Sequence, residues 1–116
     1  MTNAKIELLE KLEEIKKEKK DLKCSFIENI KINRNRKEGE DLFGPSKEII
    51  LKVNFTDEDY NKFLNELDFI YDSGYGGQEL FGTVWFNDGT WLERGEYDGS
   101  EWWEYKHFPK INEKCL

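Results

Sequence analysis

The sequence predicts an α+β fold: about five antiparallel strands carrying two helices, in the order α-β-β-α-β-β-β. Three observations carry that prediction. The last third of the chain alternates apolar and polar residues around two Asp-Gly steps, the mark of consecutive hairpins. Residues 47–55 alternate in the same way. Residues 3–22 and 56–70 instead repeat their apolar side chains at helical spacing. At 116 residues the chain has the length of one domain, 1–116.

In the stretch 3–22, Leu8, Leu12, Ile15 and Leu22 form one stripe, widened by Ile6 and Leu9. Glu and Lys interleave on the other side, many at i,i+3 or i,i+4 from an opposite partner. Two heptads are too short for a self-sufficient coiled coil, so the helix is expected to dock on the sheet; its heptad spacing leaves a homodimer as the alternative. The span 24–55 supplies two strands. Phe26, Ile27, Ile30 and Ile32 make the first, over 24–33. In the second, over 47–55, Ile49, Leu51, Val53 and Phe55 face one way and Glu48, Ile50, Lys52 and Asn54 the other. Between them, Asn33 to Ser46 is charged and rich in turn residues, a loop. Thr56 has the position of an N-cap, with Asp57, Glu58 and Asp59 in the first turn where the helix dipole favours anions. Tyr60, Phe63, Leu64 and Leu67 then face the core.

The segment 82–108 reads as a three-stranded meander, with Asn87-Asp88-Gly89 and Tyr97-Asp98-Gly99 at its turns. Two registers compete. A two-residue Asp-Gly turn in the second hairpin sets Glu96 against Glu101 and Glu93 against Glu104, and facing like charges destabilise a ladder. A three-residue loop with Gly in a bulge avoids this, pairing Glu96 with Ser100, Trp91 with Tyr105 and, in the first hairpin, Trp85 with Trp91. The three-residue loop is therefore expected in both. It places Val84, Phe86, Leu92 and Trp102 on one face and Phe81, Trp85, Trp91, Trp103 and Tyr105 on the other. Either the helices cover opposite faces, or one aromatic face is left open to a partner.

Composition narrows the function classes. Charged residues make up 37% of the chain and aromatics 15%, so the surface is heavily ionised yet a core is assured. The net charge of −7 is unevenly spread: residues 1–54 hold 13 basic and 11 acidic side chains, residues 55–116 hold 5 and 14. A half at −9 repels phosphates, so direct nucleic-acid binding is not expected there, whereas a basic groove on a protein partner would be attracted. No apolar run approaches the roughly 20 residues needed to cross a bilayer, and the opening Met-Thr-Asn-Ala-Lys is not expected to be a signal peptide. Cys24 and Cys115 show no CxxC spacing, which points to reduced thiols and a cytoplasmic setting.

The inventory for catalysis is thin, and no enzyme, cofactor or metal is expected. His107 is the single histidine, too few for a histidine-based metal site. Asp57-Glu58-Asp59 lacks the alternating ligands and distal Glu of a calcium loop. Glu93, Glu96, Glu101 and Glu104 could face each other as general acid and base do, but a solvated acidic sheet edge explains them more simply. Gly74-Tyr75-Gly76-Gly77 follows a helix, whereas phosphate-cradling loops open one; it reads as a linker or a contact loop with Tyr75 as anchor.

What remains is a pairing of aromatics with acids. Trp91, Trp103, Tyr97 and Tyr75, with Glu93, Glu96, Asp98 and Glu101, form the candidate partner-binding set, since Trp and Tyr anchor interfaces and a rim of one sign steers encounter. The competing reading is that the tryptophans are simply core. The run Trp85-Phe86-Asn87-Asp88-Gly89-Thr90-Trp91 through Glu96-Tyr97-Asp98-Gly99-Ser100-Glu101-Trp102-Trp103 resembles a segment of small orphan proteins of phages and prophages. The resemblance covers about the last third of the chain. It implies a host-directed inhibitor in a bacterial cytoplasm, in the company of anti-CRISPR proteins that imitate the negative surface of nucleic acid, with a nucleic-acid-binding effector as target. A nucleotide-binding protein whose tryptophans stack on bases, or an assembly protein self-associating through residues 3–22, are the alternatives.

Overall fold

The computed structural model describes residues 1–32, 37–40, 43–72 and 77–116. The chain is α+β: strands β1 (Thr2–Asn3), β2 (Leu22–Ile32), β3 (Phe43–Leu51), β4 (Ile70–Tyr71), β5 (Leu80–Phe86), β6 (Trp91–Tyr97) and β7 (Ser100–Lys106), with helices α1 (Ala4–Glu14) and α2 (Asp57–Glu66). Five strands form one antiparallel sheet in the order β3-β2-β5-β6-β7. β1 and β4 form a separate two-stranded ribbon that the sequence does not announce. It ties the start of α1 to the end of α2, where the Ala4 N–H donates to Phe69 O at 2.9 Å.

The first helix is shorter than its apolar stripe suggests. Asn3 caps it through Oδ1, which accepts from Ile6 N at 3.0 Å. After Glu14 the chain turns back: the Lys17 N–H reaches Leu12 O, the Lys16 N–H reaches Glu13 O, and Lys16 adopts φ +58. This is the Schellman arrangement, with a lysine in the left-handed position usually held by glycine. Leu22, expected on the helix, begins β2 instead and is still buried. The second helix is capped as the sequence indicates. The Asp59 N–H donates to Thr56 Oγ1 and the Thr56 N–H to Asp59 Oδ2, a reciprocal capping box. β3 is shifted toward the N-terminus relative to 47–55, so it takes part of the expected loop, and Val53 and Phe55 fall beyond it. Phe55 packs on Tyr60 instead, ring centroids 6.0 Å apart.

Both helices lie on the same face of the sheet. Leu8 and Leu12 of α1 and Phe63 and Leu67 from the α2 region share one core with Ile27, Ile49, Leu51, Leu80, Val84, Phe86, Leu92 and Trp103. The stripe on α1 is therefore docked, as expected.

The two hairpins differ. The first has the three-residue loop: Trp85 pairs with Trp91 and the Phe86 N–H donates to Thr90 O at 3.0 Å. The second has the two-residue turn, Tyr97 opposite Ser100, so the expected pairings of Glu96 with Ser100 and Trp91 with Tyr105 are corrected to Glu96–Glu101 and Trp91–Lys106. Asp98 at φ +51 and Gly99 at φ +83 make the doubly left-handed turn that matches the twist of the sheet. The like charges are each compensated. Lys106 Nζ lies 3.0 Å from Glu93 and 3.4 Å from Glu104, bridging that pair. Glu101 is taken by Arg94 at 2.9 Å, and Glu96 Oε1 accepts from the Gly99 N–H at 2.9 Å.

A one-residue change of register turns every side chain of a strand over. Trp103, Tyr105 and Glu101 therefore face the helices, and Trp102 faces away, the reverse of the expected arrangement.

Candidate functional site: an open aromatic sheet face

Neither helix covers the far face of the sheet. The register aligns three rows across it. The first runs Cys24, Trp85, Trp91, Lys106; the second Ile50, Phe26, Thr83, Glu93, Glu104; the third begins Glu48, Glu28, Phe81. Beside the third row, Trp102 stands opposite Gly95, whose missing side chain leaves space for the indole: an added Cβ would lie 2.8 Å from Trp102 Nε1. Phe26, Ile50, Trp85 and Trp102 are each between 37% and 47% exposed, in a chain whose other large aromatics are mostly covered. Phe108, beyond β7, packs edge-on to Trp91 with centroids 5.2 Å apart and is itself exposed.

The tryptophans here are held by their polar edges. Trp91 Nε1 donates to Glu93 at 3.2 Å and Trp102 Nε1 to Glu104 at 3.0 Å, a strand's i,i+2 contact on one face. Lys106 draws both carboxylates inward, and it holds Glu93 below the usual carboxylate range, with Trp91 assisting. The face is thus apolar at the centre with a tethered polar margin, the anatomy of a protein interface.

Behind the sheet lies a buried ionic network. Arg94 contacts Glu7 at 3.0 Å, Glu101 at 2.9 Å, Tyr71 Oη at 2.8 Å and Leu80 O at 3.4 Å. Glu101 also accepts from the backbone N–H groups of Glu79 and Leu80. Burial and the hydrogen bond to Glu7 push the Tyr71 hydroxyl far above its ordinary value, so it stays a donor. The network joins α1, β4, β5, β6 and β7, which is a scaffold role.

The candidate residues separate accordingly. Trp91 and Glu93 lie on the open face, and Tyr97, Glu96 and Asp98 are exposed at the β6–β7 turn. Trp103 and Glu101 are buried on the helix side and are corrected to scaffold. Tyr75 lies outside the described residues. The open face keeps Trp85 beside Trp91, as the sequence placed them, and gains Phe26, Ile50 and Trp102. Choosing the Asp-Gly turn for the second hairpin would have found Trp102; Ile50 stood out as the apolar member of an otherwise polar alternation.

Of the catalytic candidates, Glu93 and Glu104 face each other across Lys106 and Glu96 stands opposite Glu101, while His107 and the cysteines stay apart from them. His107 Nδ1 contacts Phe108 O at 3.1 Å, Cys24 and Cys115 are free thiols, and no group of three or more His, Cys, Asp or Glu among the described residues could hold a metal ion. Asp57 pairs with Lys19 at 2.7 Å while Asp59 serves the cap, which accounts for two of that acidic triplet. Among the described residues no helix is long and apolar enough to cross a membrane. No family model, curated protein or solved structure matches the chain.

Proposed function

We propose that this protein is a non-enzymatic binder that inhibits a basic, nucleic-acid-handling protein of a bacterial host, working in the cytoplasm as anti-CRISPR-like proteins do. The observation that carries the reading is the one-sided fold. Two helices share one face, and the other presents Trp85, Trp102 and Phe26 to solvent beside the half-buried Trp91, around Glu93, Glu104 and the acidic turn of Glu96 and Asp98. Contiguous apolar surface of this kind on a highly charged small domain marks an interaction site. The resemblance of residues 85–103 to phage orphan proteins supplies the host context.

The test compares the tagged protein with a Trp85→Ala/Trp91→Ala variant in nuclease-treated bacterial lysate at low and high salt. The expected result is stoichiometric capture of one basic protein by the parent, reduced by the variant and lost at high salt. The folding of the parent and of the variant is checked by circular dichroism. Equal capture by parent and folded variant, or none by either, refutes the proposal.

A further inference from the structure

We infer that the free edge of β7 is a groove that takes an extended basic segment of the partner as an added strand. The inference rests on the basic partner proposed above and names where and how it is gripped.

β7 is an edge strand of the five-stranded sheet. A two-residue turn closes on a hydrogen-bonded pair, here Tyr97 and Ser100, and antiparallel pairs then alternate. The backbone N–H and C=O groups of Glu101, Trp103 and Tyr105 consequently point away from β6. No hydrogen bond from another described residue reaches them. Such a row is a template for another strand.

The edge is bordered by a groove of about 320 Å³, lined by Glu7, Glu10, Lys11 and Glu14 of α1 and by Trp102 and Trp103. Trp103 is 3% exposed, and no described residue accepts from its indole N–H. The charge of the groove selects the occupant. Lys11, its one cation, is already bound to Glu14 at 3.1 Å. A second copy pairing β7 to β7 about a two-fold axis would bring two acidic α1 ridges together, which like-charge repulsion opposes. A basic segment meets Glu10, which no described cation contacts, beside Glu14 on the exposed side of α1. Because side chains of a strand alternate, the segment should place Arg or Lys at every second position, toward α1.

The probe is a fluorescein-labelled peptide alternating Arg and Thr, titrated by anisotropy, with an alternating Glu and Thr peptide as control. The Arg peptide should bind and the Glu peptide should not. N-methylation of alternate amides should weaken binding about tenfold or more by removing the ladder hydrogen bonds. Glu10→Lys/Glu14→Lys should weaken it similarly, since both residues are on the exposed side of α1. In amide exchange, the Trp103 and Tyr105 protons should be fast in the free protein and slow with peptide bound. Binding indifferent to N-methylation, absent binding, or slow Trp103 and Tyr105 exchange in a dimer without peptide would each overturn the inference. The Trp85→Ala/Trp91→Ala lysate experiment stands apart: if that variant loses its partner while the edge variant keeps it, the edge inference fails and the binder reading survives.

Discussion

Replacing Arg94 by Met should be among the most damaging single changes to this fold. The Arg94 side chain is 2% exposed and holds Glu101, at 0%, and Glu7, at 19%. Met occupies a similar volume but removes the one cation that pairs with these two carboxylates among the described residues. Glu101 keeps the N–H groups of Glu79 and Leu80, which solvate it partly and leave its charge uncompensated. Breaking a buried pair in this way costs about 3–5 kcal/mol. For a domain whose total stability lies at roughly 5–15 kcal/mol, that is a large share. With a urea slope of about 2 kcal/mol/M, the unfolding midpoint should drop by roughly 2 M. Lys19→Met supplies the contrast. Its pair with Asp57 is exposed on both sides, and such pairs contribute about 0–1 kcal/mol. Urea denaturation of both variants decides the matter: an Arg94→Met midpoint no lower than that of Lys19→Met would refute the argument that this network holds the fold.

The backbone and the remaining charges make further predictions. Lys16→Gly, at φ +58, should stabilise the protein by about 1 kcal/mol in thermal or urea unfolding, whereas Lys16→Ala should not. Gly82→Ala should destabilise severely, since the new Cβ would lie 2.4 Å from Phe26 O and 2.8 Å from Ile27 Cα at φ +147. Gly95→Ala meets only the ends of the Glu104 and Trp102 side chains, at 2.7 and 2.8 Å, and should cost less while changing Trp102 fluorescence. Lys17, 2.5 Å away, and Thr90 hold Asp88 well below the usual carboxylate range. A lowered carboxyl contributes stability that is present above the ordinary range and lost as pH falls through its folded value. Asp88→Asn should therefore flatten the acid limb of a stability–pH curve.

The fold class was legible because each element carries its own local signal: the Thr56 cap, the 47–55 alternation and the Asp-Gly turns. What could not be read were compensations between distant residues. The like-charge argument against the two-residue turn is sound for isolated pairs, but it omits Lys106 beneath Glu93 and Glu104 and Arg94 beneath Glu101. The helix stripe ran on to Leu22 because a buried leucine at the start of β2 happens to fall in phase. The β1–β4 ribbon is two residues long on each side and has no pattern at all. At the candidate site, Trp91 and Glu93 were found through composition, while Trp102 and Trp103 exchanged places through the register.

That exchange also redraws the charge map. By sequence the acidity belongs to residues 55–116, at −9. In the folded chain several of those acids are committed: Glu101 to Arg94, Glu93 and Glu104 to Lys106, Asp88 to Lys17. Such acids offer a partner less field than their count implies, because each already has a cation within contact distance. Glu10 of α1, counted in the positive half, borders the β7 edge instead and is paired with no described cation, whereas its neighbour Glu14 is held by Lys11. A charge-dependent partner should therefore feel neutralisation of Glu10 more than neutralisation of Asp88, although each changes the net charge by the same amount. Measuring the salt dependence of binding for Glu10→Gln and for Asp88→Asn separates the two. An equal or greater loss of salt sensitivity in Asp88→Asn would mean that net charge along the chain, rather than its placement by the fold, governs the encounter.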